Sequence, residues 1–174
     1  MGRQLTTQAA SPTVGLRTLT ISSALAEKIA LGRALREVQT PSPDEARALP
    51  ALIREADALM TGSTAEQVVA VLATYAFAFP DTGKKLTGPE KAARRTLYVE
   101  GLSDIPADVL EQAMKDAVKS CEFFPTVKTI RELAEVHLRE RRYHAFVLRR
   151  MKERADEAEA ARKREAELMP PDIA

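Results

Sequence analysis

The residue types that most often perform chemistry are sparse in this chain of 174 residues, which has two histidines and one cysteine. His137 and His144 stand seven positions apart on a predicted helix, whereas a zinc-binding pair on one helix stands about four positions apart and needs a third ligand. The sequence shows no base placed to activate Cys121, so a small buried side chain explains this cysteine better than a nucleophile does. We therefore predict no metal site, no catalytic residue and no cofactor.

Sequence motifs of the common enzyme classes are missing as well. The chain contains no phosphate-binding Walker loop, no glycine fingerprint of a dinucleotide site and no nucleophile elbow around a serine. The sequence therefore predicts a protein that acts by binding and not by catalysis.

A basic stretch with interleaved apolar residues is the clearest candidate for a binding site. Residues 136–154 hold seven arginines and lysines against two glutamates. Three interpretations fit this pattern: a solvated helix with internal ion pairs, a helix that docks into a groove of a partner protein, and a strip that follows nucleic-acid phosphates. The docking interpretation predicts these partner-binding residues: Arg139, Arg142, Tyr143, Phe146, Val147, Arg149, Arg150 and Met151.

Two adjacent aromatic residues precede this basic stretch, in the sequence CEFFPTVKTIREL at positions 121–133. Phe123 and Phe124 fall on opposite sides of a predicted extended entry to the last helix, where Pro125 sets the entry angle and Thr126 caps the helix. We expect one ring to fill the core against the 106–120 helix, where its burial would contribute about 1.5–3 kcal/mol of hydrophobic stabilisation. The other ring can remain exposed to solvent.

Composition indicates the fold class and excludes several functions. Apolar residues make up 45% of the chain, but only eight residues are aromatic, and Ala, Glu, Lys, Leu and Arg are abundant, a mix that favours helices. The net charge of +1 provides no global field that would favour nucleic acid or an anionic membrane. A single cysteine suits a reducing cytosol, and no apolar run approaches the roughly 20 residues of a membrane span.

Hydrophobic periodicity and capping signals predict an all-α protein. Ser42 with Pro43 starts one helix, Pro50 is expected to kink or restart it, and Ser63 with Glu66 forms a capping box for the next helix. That next helix is apolar nearly all round, so we expect it to be the most buried. The predicted helices cover about 22–38, 42–60, 63–78, 87–101, 106–120 and 126–168, with Thr87 and Glu90 as a second capping box and Gly101 closing the fourth helix.

The last predicted helix is too long for a domain of this size to bury along its whole length. At about 1.5 Å per residue it would extend over about 60 Å. We therefore predict a compact bundle of short helices followed by a protruding C-terminal helix. The predicted parts are a flexible tail at 1–20, N-terminal helices at 21–62, a helical core at 63–133, and a charged helix and tail at 134–174.

Residues 68–133 carry an ordered series of motifs. An apolar helix ends in an aromatic residue and proline (VVAVLATYAFAFP), a loop and a helix follow (LTGPEKAARRTLYVEGLSDIP), and DVLEQAMKDAVKS leads to EFFPTVKTIREL. This order resembles the small helical domain of phage proteins that load or inhibit the replicative DNA helicase, and it is similar to related prophage proteins. The helices at 22–60 have no clear counterpart in the shortest members of that family.

The resemblance implies a non-enzymatic replication accessory protein in the cytoplasm of a bacterial host. In the family the compact domain is a scaffold, and a more C-terminal segment engages the hexameric helicase, which itself binds the ATP. In this chain the corresponding segment begins after Leu133 and contains the basic stretch. No cofactor and no membrane contact are implied.

Two other functions are compatible with the same long helix. A phage structural or assembly protein would use it for contacts between identical copies, and therefore for self-association. A nucleic-acid-binding protein would use its arginines, although the modest charge excess predicts weak or indirect binding.

Overall fold

Six α-helices form in the part of the chain that the structure, a computed structural model, describes, namely residues 17–35, 37–80 and 86–168. No strand occurs among these residues, so the predicted all-α fold is confirmed. The predicted helix ends agree with the observed ones to within about three residues. The helices are α1 (Ser23–Leu35), α2 (Pro43–Ala58), α3 (Ala65–Ala76), α4 (Gly88–Leu102), α5 (Ala107–Ser120) and α6 (Val127–Leu168).

Two helices begin at the predicted capping residues. At the start of α2, the Ser42 hydroxyl accepts a hydrogen bond from the Glu45 N–H at 3.3 Å, and the Glu45 carboxylate accepts one from the Ser42 N–H at 2.6 Å. Thr87 and Glu90 form the same reciprocal pair at the start of α4. These bonds satisfy N–H groups that a helix terminus leaves without partners, so a few neighbouring residues determine these two ends.

The predicted capping box of Ser63 and Glu66 is wrong by one residue. Thr64 and Gln67 cap α3 instead. The buried Ser63 hydroxyl donates a hydrogen bond to the Ile105 carbonyl oxygen at 2.5 Å, on the turn before α5. Ser63 with Glu66 and Thr64 with Gln67 both have the spacing of a capping box. Because the Ser63 hydroxyl is engaged with Ile105, the second pair caps the helix.

Pro50 and Gly101 lie inside helices, in α2 and α4 respectively. Pro50 does not restart a helix, since α2 continues through it. Proline has no N–H group, so one carbonyl oxygen in the preceding turn of α2 lacks its helical hydrogen bond. Because Pro50 is exposed, water can hydrate that oxygen. Gly101 lies inside α4, where an added Cβ would stand 2.6 Å from a methyl group of Val127. This glycine therefore permits the close approach of α4 to α6.

The first of two apolar clusters surrounds α5. Seven residues of α5 are buried, and they pack between α3, α4 and the beginning of α6. Leu110 and Met114 are fully buried, as is Ile130 of α6. The cluster contains Val68, Phe79, Leu102, Ile105, Val109, Leu110, Ala113, Met114, Ala117, Ile130, Ala134 and Leu138.

The apolar helix α3 is not the most buried helix, contrary to prediction. Val68 is its one buried residue. Phe77, which caps the C-terminus of α3, exposes 94% of its surface. The prediction failed because α3, although it packs on α4 and α5, leaves most of its side chains in contact with solvent, whereas the more polar α5 lies between α3 and α6. Neighbours and not composition decide burial here.

The second cluster joins α1 and α2 to the middle of α6. Leu25 and Ile29 of α1 and Leu49 of α2 contribute buried side chains. The partners on α6 are Ala145, Val147, Leu148 and Met151. The helices at 21–62 therefore pack on α6, and α6 is shared by both clusters. The predicted boundary at residues 133/134 falls inside this continuous helix.

The described part of the predicted flexible tail, residues 17–20, contacts the helices. The Arg17 N–H donates a hydrogen bond to the Asp108 carboxylate at 2.8 Å. Leu19 packs against the second cluster. Residues 1–16 lie outside the described residues, as do residues 169–174 at the end of the predicted C-terminal tail.

The end of α6 extends beyond the second cluster. Met151 is its last buried residue, and Arg154 forms an ion pair with Glu37 at 3.5 Å. Residues 155–168 continue for about 21 Å as a charged helix. A protruding C-terminal helix is thus present, but it is much shorter than α6 as a whole.

Candidate functional site

The solvent-facing side of α6 carries five of the eight residues that were predicted to bind a partner. Arg139, Arg142, Phe146, Arg149 and Arg150 are all exposed, and we call them the arginine face. Spacings of three and four positions place them on one side of the helix. The Phe146 ring exposes 55% of its surface in their midst. An exposed aromatic ring among guanidinium groups is suited to protein contacts.

The other three predicted residues are less accessible. Val147 and Met151 are buried in the second cluster, and Tyr143 packs against it. The Tyr143 ring lies 4.0 Å below the guanidinium group of Arg33, which also binds Glu140 at 3.0 Å. Val147 and Met151 are therefore not surface groups as predicted, because they are buried with α1 and α2, whereas Tyr143 is half-buried.

An open groove adjoins the arginine face. It lies between α6 and the turn before α5, and its volume is about 410 Å³. Buried Ile105 and Leu138 contribute its apolar surface. Its charged lining consists of Arg131, Glu132, Glu135, Arg139 and Arg142. The groove offers an apolar contact with guanidinium groups on either side of it.

Ion pairs hold most of the arginine face in place. The pairs are Arg142 with Glu135 at 2.6 Å, Arg150 with Glu153 at 2.5 Å, and Arg149 with Asp57 of α2. In the described parts of the chain, Arg139 has no carboxylate within ion-pair distance. Exposed pairs contribute about 0–1 kcal/mol each, so a partner's carboxylates can replace the internal ones at little cost.

Arg131 extends the polar side of the groove and joins α6 to α4. Its guanidinium group donates to both carboxylate oxygens of Asp104, at 2.6 and 2.8 Å, and to the Gly101 carbonyl oxygen at 2.7 Å. These hydrogen bonds lower the pKa of the Asp104 carboxyl, although partial burial opposes the change. A bidentate pair of this geometry positions the groove wall.

A buried ion pair between α5 and α6 was not foreseen from the sequence. Arg141 binds both carboxylate oxygens of the fully buried Asp108, at 2.5 and 3.3 Å. Arg141 also donates to the carbonyl oxygens of Leu59 and Arg17, at 2.8 and 2.7 Å. This network joins α5, α6, the end of α2 and the N-terminal segment. Arg141 therefore has a structural role and is not available to a partner.

The environment of Asp108 favours its ionised form. Burial raises the pKa of this carboxyl, but the hydrogen bonds from Arg141 and from the Arg17 N–H, with both positive charges, outweigh burial and lower the pKa. An acidic residue inside a helix usually faces water. The position of Asp108, two residues after Pro106 at the start of α5, gave no indication that its carboxyl would be buried.

The two histidines line a second, mainly apolar cleft of about 230 Å³ between α6 and residues 17–19. His137 binds Asp116 at 3.0 Å, and His144 lies 3.3 Å from Glu140. No group of three histidine, cysteine or acidic side chains is placed to hold a metal ion within the described residues. Cys121 is half-buried, whereas we expected it to be buried.

The paired phenylalanines divide between the core and the surface. The Phe124 ring packs edge-on to Phe79 at 5.5 Å and to Tyr98 at 5.8 Å between centroids, against the first cluster. Phe123 is exposed. The buried Pro125 accepts a hydrogen bond from the Tyr98 hydroxyl at 2.7 Å. The Thr126 hydroxyl accepts the N–H of Thr129 at 3.2 Å, which is the predicted cap of α6.

Comparisons of the chain with protein-family models, with curated proteins and with solved structures found no match. Within the described residues, no helix combines the length and apolar character that crossing a membrane requires. The likeness of residues 68–133 to the helicase-loader domain therefore stays a prediction.

Proposed function

We propose that this protein is a non-enzymatic accessory protein of phage-type DNA replication that binds a hexameric replicative helicase and loads or regulates it. The observation that carries the proposal is the exposed Phe146 ring among four arginines on one side of α6. Aromatic residues and arginine are the side chains that most often dominate the binding energy of protein interfaces.

The way in which α6 is held supports the proposal. Leu138 and Leu148 of α6 are buried in the first and second clusters. The helix is thus formed before any partner arrives, and association does not have to order it. Such preorganisation lowers the entropic cost of binding.

The identity of the partner follows from the resemblance of residues 68–133. These residues form α3, α4, α5 and the first turns of α6. In the helicase-loader family the corresponding domain is a scaffold, and the segment that follows it engages the helicase. The arginine face begins at Arg139, a few residues after the end of this region.

Co-elution with the host's replicative helicase tests the proposal. The protein and the purified hexamer are mixed with and without ATP and analysed by size-exclusion chromatography with light scattering. We expect one shared peak. The double variant Phe146→Ala, Arg142→Glu should weaken the association by about tenfold or more.

Arg164→Glu provides the matched control, because Arg164 is exposed on the same helix beyond both clusters. This variant should bind as the unmodified protein does. Separate peaks under both nucleotide conditions, or equal binding by the Phe146→Ala, Arg142→Glu variant, would contradict the proposal.

A phage assembly protein is the second candidate, favoured by the projecting residues 155–168 of α6. It predicts self-association of the protein alone, which the same light-scattering measurement detects. A strict monomer over a wide concentration range would remove it. Direct nucleic-acid binding predicts affinity that falls steeply with salt and is lost when Arg139, Arg142, Arg149 and Arg150 are reversed in charge.

A further inference from the structure

The open groove beside the arginine face brings one side of α6 together with the turn before α5. Its residues on α6 recur at spacings of three and four positions, so they share one side of that helix: Arg131, Glu132, Glu135, Leu138, Arg139 and Arg142. Ile105 lines the same cavity, of about 410 Å³, from the turn before α5. The cavity itself therefore places these side chains together.

The apolar part of the groove is held in place by the fold. Ile105 and Leu138 expose only 1% and 6% of their surface, so the rest of each side chain is fixed in the first cluster. Arg131 is held on Asp104 and on the Gly101 carbonyl oxygen by three hydrogen bonds of 2.6–2.8 Å. The methylene groups of the lining arginines add apolar area. An aliphatic side chain that enters the groove therefore meets a preformed surface, which lowers the cost of binding.

Among the described residues, internal partners satisfy all but one of the charged groups in the groove. Glu135 stands four positions before Arg139, the spacing of a helical ion pair, but both of its carboxylate oxygens accept from Arg142, at 2.6 and 2.8 Å. Arg139 is exposed and forms no ion pair in the part of the chain that the structure describes. The pairs of the lining are Arg131 with Asp104, Arg142 with Glu135, and Glu132 with Lys128. The Arg139 guanidinium group can therefore accept an incoming carboxylate.

We infer that the groove docks a segment of a partner protein in which an aliphatic side chain stands next to an aspartate or a glutamate. The carboxylate pairs with Arg139, and the aliphatic side chain covers Leu138 and Ile105. The lining balances three arginines with two glutamates, so it accommodates a single added carboxylate better than a run of phosphates. The charges of the groove therefore favour an acidic protein segment over nucleic acid.

The inference deepens the proposed function and rests on it for the identity of the partner, the replicative helicase. The groove is continuous with the arginine face, because Phe146 follows Arg142 by four positions and Arg139 by seven, which places all three on one side of α6. A partner that covers the Phe146 ring therefore passes over the groove as well. A segment that lacks the carboxylate would cover Arg139 without a counter-charge, so Arg139 is the residue that selects among partners.

Two matched dipeptides test this chemistry without the helicase. They are acetyl-Glu-Leu-amide and acetyl-Gln-Leu-amide, which have nearly the same shape and differ by one charge. Each is titrated at millimolar concentration into the ¹⁵N-labelled full-length protein, and NMR spectra follow the backbone amides. We expect saturable shifts at Ile105 and at residues 138–142. The glutamine probe should bind about two- to fivefold more weakly than the glutamate probe, the range expected for an exposed ion pair.

A third probe and two variants separate the apolar and the charged contributions. Acetyl-Glu-Gly-amide keeps the charge without the aliphatic side chain and should bind about tenfold more weakly than acetyl-Glu-Leu-amide. Arg139→Gln should bind the glutamate and glutamine probes equally. Arg162→Gln is the matched control, because Arg162 is exposed on α6 beyond both clusters, and this variant should keep the preference for glutamate. Circular dichroism verifies that both variants keep their helix content.

Four results would overturn the inference. The first is absence of saturable shifts at the groove, or equal affinity of the unmodified protein for the glutamate and glutamine probes. The second is tighter binding of acetyl-leucine, which would assign the groove to the carboxylate of a chain end. The third is tighter binding of a thymidine oligonucleotide that Arg139→Gln abolishes. The fourth is a shift of the groove amides on dilution of the protein alone that Leu168→Ser abolishes, which would assign the groove to the exposed end of α6 in a second copy.

Failure of the inference and failure of the proposed function give different results. Co-elution with the helicase, combined with equal binding of the glutamate and glutamine probes, would retain the helicase and remove the chemistry inferred for the groove. Selective binding of the glutamate probe without co-elution would retain the groove and remove the helicase as its partner.

Discussion

Arginines on the two sides of α6 have different roles. Arg141 and Arg142 are neighbours in the chain, yet the Arg141 side chain is 10% exposed and the Arg142 side chain 53%. Arg141 binds a fully buried carboxylate, whereas Arg142 binds Glu135 in contact with water. The difference teaches that an arginine on this helix becomes a structural or a binding residue according to what packs beside it.

The buried pair should give the largest effect on stability. Arg141→Ala leaves the Asp108 charge buried with fewer partners, and breaking a buried pair in this way costs about 3–5 kcal/mol. Arg142→Ala, the matched change on the exposed side, should cost at most about 1 kcal/mol. Urea unfolding followed by circular dichroism measures both. Equal losses for the two variants would remove the distinction between the sides.

A buried and an exposed apolar residue of α6 should also differ in their contribution to stability, by a somewhat smaller amount than the two arginines. Met151→Ala opens a cavity in the second cluster and should cost about 3 kcal/mol, within the usual range for buried methionine. Phe146→Ala should leave the free energy of unfolding nearly unchanged and should weaken helicase binding. Thermal unfolding and the co-elution assay separate the two effects. A large loss of stability in Phe146→Ala would show that its ring belongs to the core.

Acid should weaken the buried side of α6 through Asp108. Because its folded-state pKa is lowered, its contribution to stability is complete above the unfolded carboxyl pKa of about 3.9 and is lost as the pH falls through the folded-state pKa. Urea unfolding from about pH 6 to about pH 2 should therefore show a steeper loss in the unmodified protein than in Asp108→Asn. Identical slopes would exclude this contribution. Asp104 and Asp116, whose pKa values are also lowered, act equally in both proteins.

The exposed ion pair should give the smallest effect. A double-mutant cycle on Arg142 and Glu135 should yield a coupling energy of about 0.2–1 kcal/mol that declines when salt is added. The same cycle on Arg141 and Asp108 should give a larger coupling that salt changes little, since burial limits screening. A strong, salt-resistant coupling at Arg142 would mean that the arginine face is itself part of the structure.

Much of the fold could be predicted from local patterns. Ser42 with Glu45 and Thr87 with Glu90 mark helix starts through hydrogen bonds that join residues three positions apart. Helical periodicity was also sufficient to recognise α6 from the cap at Thr126 to Leu168. These features depend on neighbours in the chain, which a single sequence displays directly.

The candidate site could be predicted only in part, because its exposure depends on contacts between residues that are far apart in the chain. The periodicity of residues 136–154 indicated a helix with arginines and apolar side chains, but it did not show which side another element would cover. Arg33 and Glu140, which join α1 to that helix, are 107 positions apart in the sequence. Contacts at such separations have no local pattern, so the burial of Val147 and Met151 could not be predicted from the sequence.

The sequence by itself determined the helices of this protein, because capping and periodicity act over a few residues. The tertiary structure alone decided which faces became core. It buried α5 more deeply than the more apolar α3, enclosed Asp108 with Arg141, and left Phe146 and its arginines exposed. Which residues are buried depends on how all six described helices pack against one another. That packing cannot be predicted from any single segment of the chain.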